Sequence, residues 1–120
     1  IECRINAENP EQDYRPSCGK LTAVHIPGGP RVRFDTAIYQ DYVVPPFYDS
    51  MIGKLIVHAD TRELAIRKMK AALDELVVDG IDHNARMQGD ILSDERFANG
   101  TYTTSLMQQR EQEEKSEQQQ

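Results

Sequence analysis

Hydrophobic and polar residues alternate at the start of the chain. Between residues 2 and 8, Cys3, Ile5 and Ala7 fall on one side of an extended chain and polar residues fall on the other. A period of two is typical of a strand with one buried face. Asn9-Pro10 then breaks the pattern. The predicted polar face of this strand consists of Glu2, Arg4, Asn6 and Glu8.

Four further extended segments follow along the chain. Residues 21–26 and 31–34 are predicted strands, and Pro27-Gly28-Gly29-Pro30 lies between them. Such a cluster favours a tight turn, so we predict that the two strands form a hairpin that needs glycine at Gly28. Residues 43–46 are predicted to be extended because each proline restricts the residue before it. Residues 52–58 form the last predicted strand.

Apolar residues at helical spacing indicate the longest helix. It begins at Asp60 or Thr61, where Asp60 and Glu63 form a variant capping box, and Gly80 is a natural stop. Its apolar stripe consists of Ala65, Met69, Ala72, Leu73 and Leu76. A second helix is predicted over residues 84–92 and a short turn over 95–98. Residues 104–113 can begin a helix, whereas the end of the Gln/Glu-rich tail is expected to fray.

Strands therefore come first and helices last. Because short turns join the early strands, these strands are predicted to pair antiparallel. The predicted fold class is α+β: an antiparallel β-sheet of hairpin-connected strands, partly barrel- or sandwich-like, followed by C-terminal helices. We expect one domain over residues 1–107 and a polar, disordered tail over residues 108–120.

Composition argues against several classes of function. The chain has 120 residues and a net charge of −6, which disfavours binding to a phosphate backbone. No apolar run approaches the roughly 20 residues of a membrane span.

Cys3 and Cys18 lie outside any CxxC pattern, which favours a reduced, cytoplasmic setting. Ile1 opens directly into a strand without a signal peptide or an initiator methionine, so we expect a start inside a longer protein. No metal site is predicted, because metal-ligand spacing is missing from the three histidines, His25, His58 and His83.

Three segments carry a specific resemblance to a known family. Residues 2–8 read ECRINAE, residues 45–55 read PPFYDSMIGKL, and residues 79–81 read DGI with Asn84 shortly after. Residues 16–21 and 25–29 match between them. In this order and at these intervals, the segments resemble the C-terminal domain of biotin carboxylases over roughly residues 1–107.

The resemblance implies that the chain is part of an ATP-dependent enzyme. The family uses ATP to make carboxyphosphate from bicarbonate and then moves CO₂ onto N1′ of biotin, which a carrier protein holds. The ATP-grasp domain, its glycine-rich lid and the catalytic carboxylates lie upstream in such enzymes, and nothing in this chain resembles them. Gly28-Gly29 lies between prolines and lacks the helix that follows a phosphate-binding loop. ATP with Mg or Mn is therefore expected on the missing region and not on this fragment.

Arg4 is the first candidate for chemistry. In the family, the arginine of the ECRINAE segment contacts biotin and bicarbonate, and a guanidinium offers permanently charged donors to a developing oxyanion. The alternative is a strand arginine that pairs with Glu2 or Glu8. The resemblance favours the functional role.

Other candidates carry two interpretations each. Asp49 either orients Arg4 or caps a turn. Tyr48, with Phe47, either walls the biotin pocket or is a core or interface residue. Asn6 and Glu8 either support Arg4 or face solvent. The basic residues of the main helix either dock an acidic carrier or form a solvated face; they are Arg62, Arg67, Lys68 and Lys70.

The resemblance also implies partners. Arg33 matches an arginine of the dimer interface in bacterial members, and Pro30 stands where some of them have an aromatic interface residue. We expect a homodimer, a biotin carboxyl carrier protein and a carboxyltransferase subunit as partners, in acetyl-CoA carboxylation for fatty-acid synthesis. The alternative function is a non-catalytic assembly or carrier-docking module of a carboxylase such as pyruvate or propionyl-CoA carboxylase.

Overall fold

The computed structural model describes residues 1–46 and 49–120 of the chain. Short strands dominate the first half and helices the second. The strands, in chain order, are β1 Glu2–Asn6, β2 Glu8–Asn9, β3 Arg15–Pro16, β4 Gly19–Lys20, β5 Ala23–His25, β6 Val32–Thr36, β7 Val43–Val44, β8 Met51–Val57 and β9 Val77–Asp79. The α-helices are α1 Arg62–Glu75, α2 Ala85–Leu92, α3 Glu95–Ala98 and α4 Leu106–Gln118, and a 3-10 turn spans Pro10–Gln12.

A three-stranded antiparallel sheet lies at the centre of the fold, in the order β1-β8-β6. In the middle strand, Leu55 lies opposite Cys3 on one side and Phe34 on the other. Cys3, Ile5 and Leu55 are buried, so this face of the sheet forms part of the core. The alternation predicted for β1 is confirmed.

Three two-stranded pairs accompany the central sheet in the described ranges: β2 with β3, β4 with β7, and β5 with β9. All pairs are antiparallel. The antiparallel α+β class is thereby confirmed. The strands form small separate sheets in the described ranges, and they do not close into one continuous sheet.

Helix α1 packs its predicted apolar stripe against the core. The buried side chains of the helix are Ala65, Ile66, Met69, Ala72 and Leu73. Thr61 is the N-cap, and its hydroxyl accepts a hydrogen bond of 3.2 Å from the Leu64 N–H. The helix ends at Glu75, earlier than the predicted stop at Gly80, because β9 forms in between. Val78 of β9 is buried opposite Val24, and this pairing ends the helix.

The predicted hairpin between residues 21–26 and 31–34 is wrong. Strand β5 pairs with β9, and β6 pairs with β8, so the Pro-Gly-Gly-Pro loop connects two sheets. Gly29 takes the left-handed conformation in this loop, with φ at 117°. Gly28 does not, and a Cβ added there meets no described atom within 4 Å. The turn therefore depends on Gly29 and not on Gly28.

The C-terminal segment differs from the expected disordered tail, since Leu106–Gln118 form helix α4. Leu106 is buried, and a cluster of charged side chains ties the helix to α3. Asp94 contacts Arg96 at 2.8 Å and Arg110 at 2.9 Å, and Arg96 contacts Glu113 at 2.9 Å. Hydrogen bonds from Arg96 and then Arg110 hold the pKa of the Asp94 carboxyl well below its usual range. The division into a domain and a tail stays a prediction.

We predict a large effect of alanine at Gly80 and a small one at Gly28. Gly80 has a φ of 105°, and an added Cβ would overlap the Lys20 carbonyl oxygen. Gly80→Ala is expected to lower the free energy of unfolding by roughly 1–3 kcal/mol. Gly28→Ala, in open space, is expected to change it by less than about 0.5 kcal/mol. Urea unfolding measures both, and equal losses would contradict the described loop.

We also predict that Asp94→Asn releases helix α4, because the carboxylate shared by Arg96 and Arg110 loses its charge. Backbone amides of residues 106–118 should then exchange hydrogen for deuterium faster. Glu117→Gln is the control, since Glu117 is exposed and makes no ion pair within the described part of the chain. Unchanged exchange in Asp94→Asn would show that the charged cluster does not hold the helix.

Candidate functional site

Backbone pairing sets the orientation of Arg4 on β1. Ile1 and Val57 exchange both backbone hydrogen bonds, each at 2.9 Å, so they are a hydrogen-bonded pair. Hydrogen-bonded and non-hydrogen-bonded pairs alternate along an antiparallel ladder. Cys3 and Ile5 therefore direct their backbone groups towards β8, whereas Arg4 directs its backbone groups towards the other edge of β1.

Arg4 lies directly opposite Lys54 on β8. In a non-hydrogen-bonded pair the two side chains lie especially close, and like charges in this arrangement destabilise a sheet. On the third strand, Asp35 lies opposite Lys54. Arg4 is exposed and Lys54 is half-buried, so the outward face of the sheet presents two adjacent cations. This arrangement suits an anionic ligand.

The alternative interpretation of Arg4 as an ion-paired strand residue is not supported. Among residues 1–46 and 49–120, no ion pair includes Arg4. The Glu8 carboxylate accepts hydrogen bonds from Asn6 and Ser50 instead. A guanidinium without an internal carboxylate partner keeps its donors available for a ligand.

The free edge of β1 is covered by two amide side chains from the region of α2. Asn84 Oδ1 accepts from the Asn6 N–H at 2.9 Å, and Asn84 Nδ2 donates to the Arg4 carbonyl oxygen at 3.1 Å. Gln88 Nε2 donates to the same carbonyl oxygen at 3.1 Å. The Asn84 N–H donates to the Asn6 carbonyl oxygen at 3.3 Å. We call these four hydrogen bonds the Asn84 edge. Asn84 is only 2% exposed, and it is the residue that sequence reasoning missed, although it lies in one of the matching segments.

The Asn84 side chain forms this edge and does not cap helix α2. Asn84 occupies the N-cap position, yet its side chain makes no capping hydrogen bond. His83 Nδ1 accepts from the Ala85 N–H at 3.3 Å instead. Burial lowers the pKa of His83, against the weaker raising effects of Asp79 and Asp82. A neutral imidazole is the form that accepts this hydrogen bond.

Asn6 and Glu8 lie in one hydrogen-bond network beside Arg4. Asn6 Nδ2 donates to Glu8 Oε1 at 3.2 Å, and Ser50 Oγ donates to Glu8 Oε2 at 3.2 Å. The Ala7 N–H also donates to the Ser50 carbonyl oxygen at 2.8 Å. The network joins the end of β1 to the segment before β8. A direct supporting role for Arg4 stays a prediction.

Asp49 makes the contact of a turn cap. Its Oδ1 accepts from the Met51 N–H at 3.1 Å, at the start of β8. This geometry favours the capping interpretation, and the orienting role for Arg4 stays a prediction. The predicted pocket residues Tyr48 and Phe47 lie outside the described residues.

The predicted interface residues lie at the surface. Arg33 contacts Asp35 at 3.0 Å on the same sheet face as Lys54, because Asp35 lies opposite Lys54. The Pro30 carbonyl oxygen accepts from Lys68 Nζ at 3.1 Å. Both Arg33 and Pro30 are exposed, and their interface role stays a prediction.

The basic residues of α1 do not form one free patch. Arg62 lies over the Phe97 ring, 4.6 Å from its centroid, and donates to the Phe97 and Ala98 carbonyl oxygens. Lys68 is bound to the Pro30 carbonyl oxygen. Two of the four predicted docking residues therefore serve internal contacts.

Other chemical features lie apart from Arg4. A cleft of about 530 Å³ between the 3-10 turn, α2 and α4 is lined by side chains of both charges, and Arg4 is not among them. The described side chains contain no group of three or more metal-ligating residues. Burial raises the pKa of the Cys3 thiol to about 11, which argues against a nucleophilic role. None of the described helices is long and apolar enough to cross a membrane.

The chain matches a family model, the biotin carboxylase C-terminal domain, over residues 2–109. It is 53% identical to a biotin carboxylase of Haemophilus influenzae over 100 residues. This alignment covers 83% of the chain and 22% of that protein. It is 50% identical over 113 residues to the chloroplastic biotin carboxylase 2 of Populus trichocarpa, covering 94% of the chain and 22% of that protein.

Solved structures show the same fold. A biotin carboxylase of Campylobacter jejuni in complex with β,γ-ATP aligns with a TM-score of 0.86 and 44% identity, over 90% of this chain and 24% of that one. The biotin carboxylase domain dimer of a Hydrogenobacter thermophilus 2-oxoglutarate carboxylase, which contains MgADP, ADP and bicarbonate, aligns with a TM-score of 0.87 and 36% identity over 90% and 24%.

The chain belongs to the biotin carboxylase C-terminal domain family. It spans about a fifth of the length of the curated relatives that it matches.

We predict that acid destabilises the domain through His83. Because burial depresses the folded-state pKa, the unfolded chain binds a proton first as the pH falls below 6.5, and the free energy of unfolding drops. His83→Gln should remove this part of the pH dependence. His58→Gln, at an exposed position, is the control. Urea unfolding on both sides of that pH measures the effect, and an unchanged acid slope in His83→Gln would contradict it.

Proposed function

We propose that the chain supplies part of the biotin site of an ATP-dependent biotin carboxylase, which carboxylates carrier-bound biotin with bicarbonate. The observation that carries the proposal is the exposed Arg4 beside Lys54, on a strand whose second edge is bonded to Asn84. Membership of the family supports it further.

Arg4 acts as a fixed electrostatic partner in this proposal. Loss of the N1′ proton of biotin builds negative charge on the ureido oxygen, and a guanidinium beside that oxygen stabilises it. Donors that are already in place before the charge develops lower the barrier most effectively. Lys54 adds a second positive charge on the same sheet face.

Biotin fits the residues of this chain better than ATP does. An exposed guanidinium suits a ureido or bicarbonate oxygen, whereas the loop at Gly28-Gly29 connects two sheets and precedes no helix. We therefore place ATP and Mg or Mn in the remaining part of the enzyme. The metal and nucleotide would supply the activation of bicarbonate there.

We propose the same partners for this chain that the family uses. They are a biotin carboxyl carrier protein, a carboxyltransferase subunit and a second copy of the enzyme, with Arg33 and Pro30 at the interface between copies. The dimeric Hydrogenobacter structure supports the homodimer. Acetyl-CoA carboxylation in fatty-acid synthesis is the proposed context. The free thiols of Cys3 and Cys18 support a reducing compartment such as the cytoplasm, although some relatives are chloroplastic.

The alternative, an assembly module of pyruvate or propionyl-CoA carboxylase, is not favoured. A structure of a pyruvate carboxylase biotin carboxylase subunit matches at 34% identity, below the 53% of the Haemophilus biotin carboxylase. A module that only assembles subunits also has no use for the exposed Arg4.

The test is ATP cleavage by the full-length enzyme with Arg4→Ala, with and without free biotin. The stimulation by biotin should fall about 10²–10³-fold, as for other lost oxyanion donors, and it should fall further than the bicarbonate-dependent background, which does not use the contact with the ureido oxygen. Arg15→Ala is the matched control, because Arg15 is also an exposed strand arginine. Biotin stimulation in Arg4→Ala equal to that of the unmodified enzyme would contradict the proposal.

A further inference from the structure

We propose that Asn84 is the positioning residue of the biotin site: its carboxamide replaces a missing neighbour strand at β1 and thereby fixes the direction of Arg4. This inference rests on the proposed function of Arg4. It assigns a role in the reaction to a residue of the α2 N-terminus that does not project from the reactive face of the sheet.

The need for such a residue arises from an irregularity in the sheet. Arg4 pairs with Lys54 and Ile5 pairs with Gly53, but Asn6 pairs with Met51, so one residue of β8 is left out of the ladder. A bulge of this kind bends a strand and weakens the pairing next to it. The backbone of β1 therefore receives less support from β8 after Ile5, one residue beyond Arg4.

The Asn84 edge supplies that support on the opposite side. Asn84 accepts from the Asn6 N–H and donates to the Arg4 carbonyl oxygen, which is how a paired strand would bind both groups. Gln88 donates to the same carbonyl oxygen and occupies its second lone pair. The peptide groups on either side of Ile5, next to the bulge, are thus held from α2. The direction of a strand side chain is set by the orientation of the adjacent peptide planes. The Asn84 edge fixes a peptide plane next to Arg4 and thereby holds the direction of the Arg4 side chain.

Asparagine suits this position better than a carboxylate of nearly the same shape. Its amide offers one acceptor for the Asn6 N–H and one donor for the Arg4 carbonyl oxygen. The substitution Asn84→Asp keeps the shape and loses the donor, because it turns a buried carboxylate oxygen towards that carbonyl oxygen. Gln88→Met removes only the second donor, at a half-buried position, and is the milder variant.

The experiment compares Asn84→Asp, Gln88→Met and Arg4→Ala in the full-length enzyme. The readouts are kcat and KM for biotin-dependent ATP cleavage, together with the biotin-free, bicarbonate-dependent background. We expect Asn84→Asp to lower the biotin-dependent kcat about 10- to 100-fold, as for other supporting residues, and to lower the background by a smaller factor. Gln88→Met should show a smaller loss of the same kind. Gln109→Met, exposed on α4, is the control.

The outcomes separate the two proposals. If Arg4→Ala loses biotin stimulation and Asn84→Asp keeps it, the positioning role is wrong and the proposed function stands. If Arg4→Ala keeps biotin stimulation, the proposed function fails and the positioning role fails with it. If Asn84→Asp also loses the background because it unfolds, Gln88→Met decides: a selective loss of biotin stimulation supports the role, and unchanged kinetics overturn it.

Discussion

The hydrogen bonds between the buried Asn84 amide and the free edge of β1 join the two halves of this fold. Within residues 1–46 and 49–120, strand β1 has a partner strand on one side only, and its ladder with β8 is broken at Asn6. Unpaired backbone groups in a buried setting are costly, so the second edge needs partners. Asn84 supplies them from the start of α2. These bonds hold the sheet and the helical half in a fixed relative position.

The remaining architecture follows from the two faces of the central sheet. The inner face buries Ile5 and Leu55 in the core cluster that also contains Met69 of α1. Because side chains alternate, the same register exposes Arg4 and brings it beside Lys54 on the outer face. Burial of one face thereby creates the cationic surface on the other. The candidate site is an open face and not a cleft, which fits a chain that spans about a fifth of its relatives' length.

Local patterns predicted the elements that depend on local contacts. The stripe of α1 follows the helical period, and the alternation of β1 placed Arg4 on the outer face. Pairing between distant segments could not be predicted from local patterns. Strand β5 pairs with β9 across more than fifty positions, and no periodicity in the sequence links the two. The charged contacts that hold α4 join residues 16 and 17 positions apart. Such contacts do not show in the local composition, so the polar tail was expected to be disordered. Asn84 was missed because a single amide that imitates a strand leaves no repeating pattern.

Site-resolved hydrogen–deuterium exchange at the Asn6 N–H tests whether Asn84 holds the second edge of β1. This amide is bonded to the Asn84 side chain at 2.9 Å, whereas the N–H groups of Cys3 and Ile5 are directed towards β8. In Asn84→Leu, we expect much faster exchange at Asn6 and continued protection at Cys3 and Ile5. Equal protection of Asn6 in the unmodified and substituted proteins would contradict this role of Asn84, because something else would then hold the edge of β1.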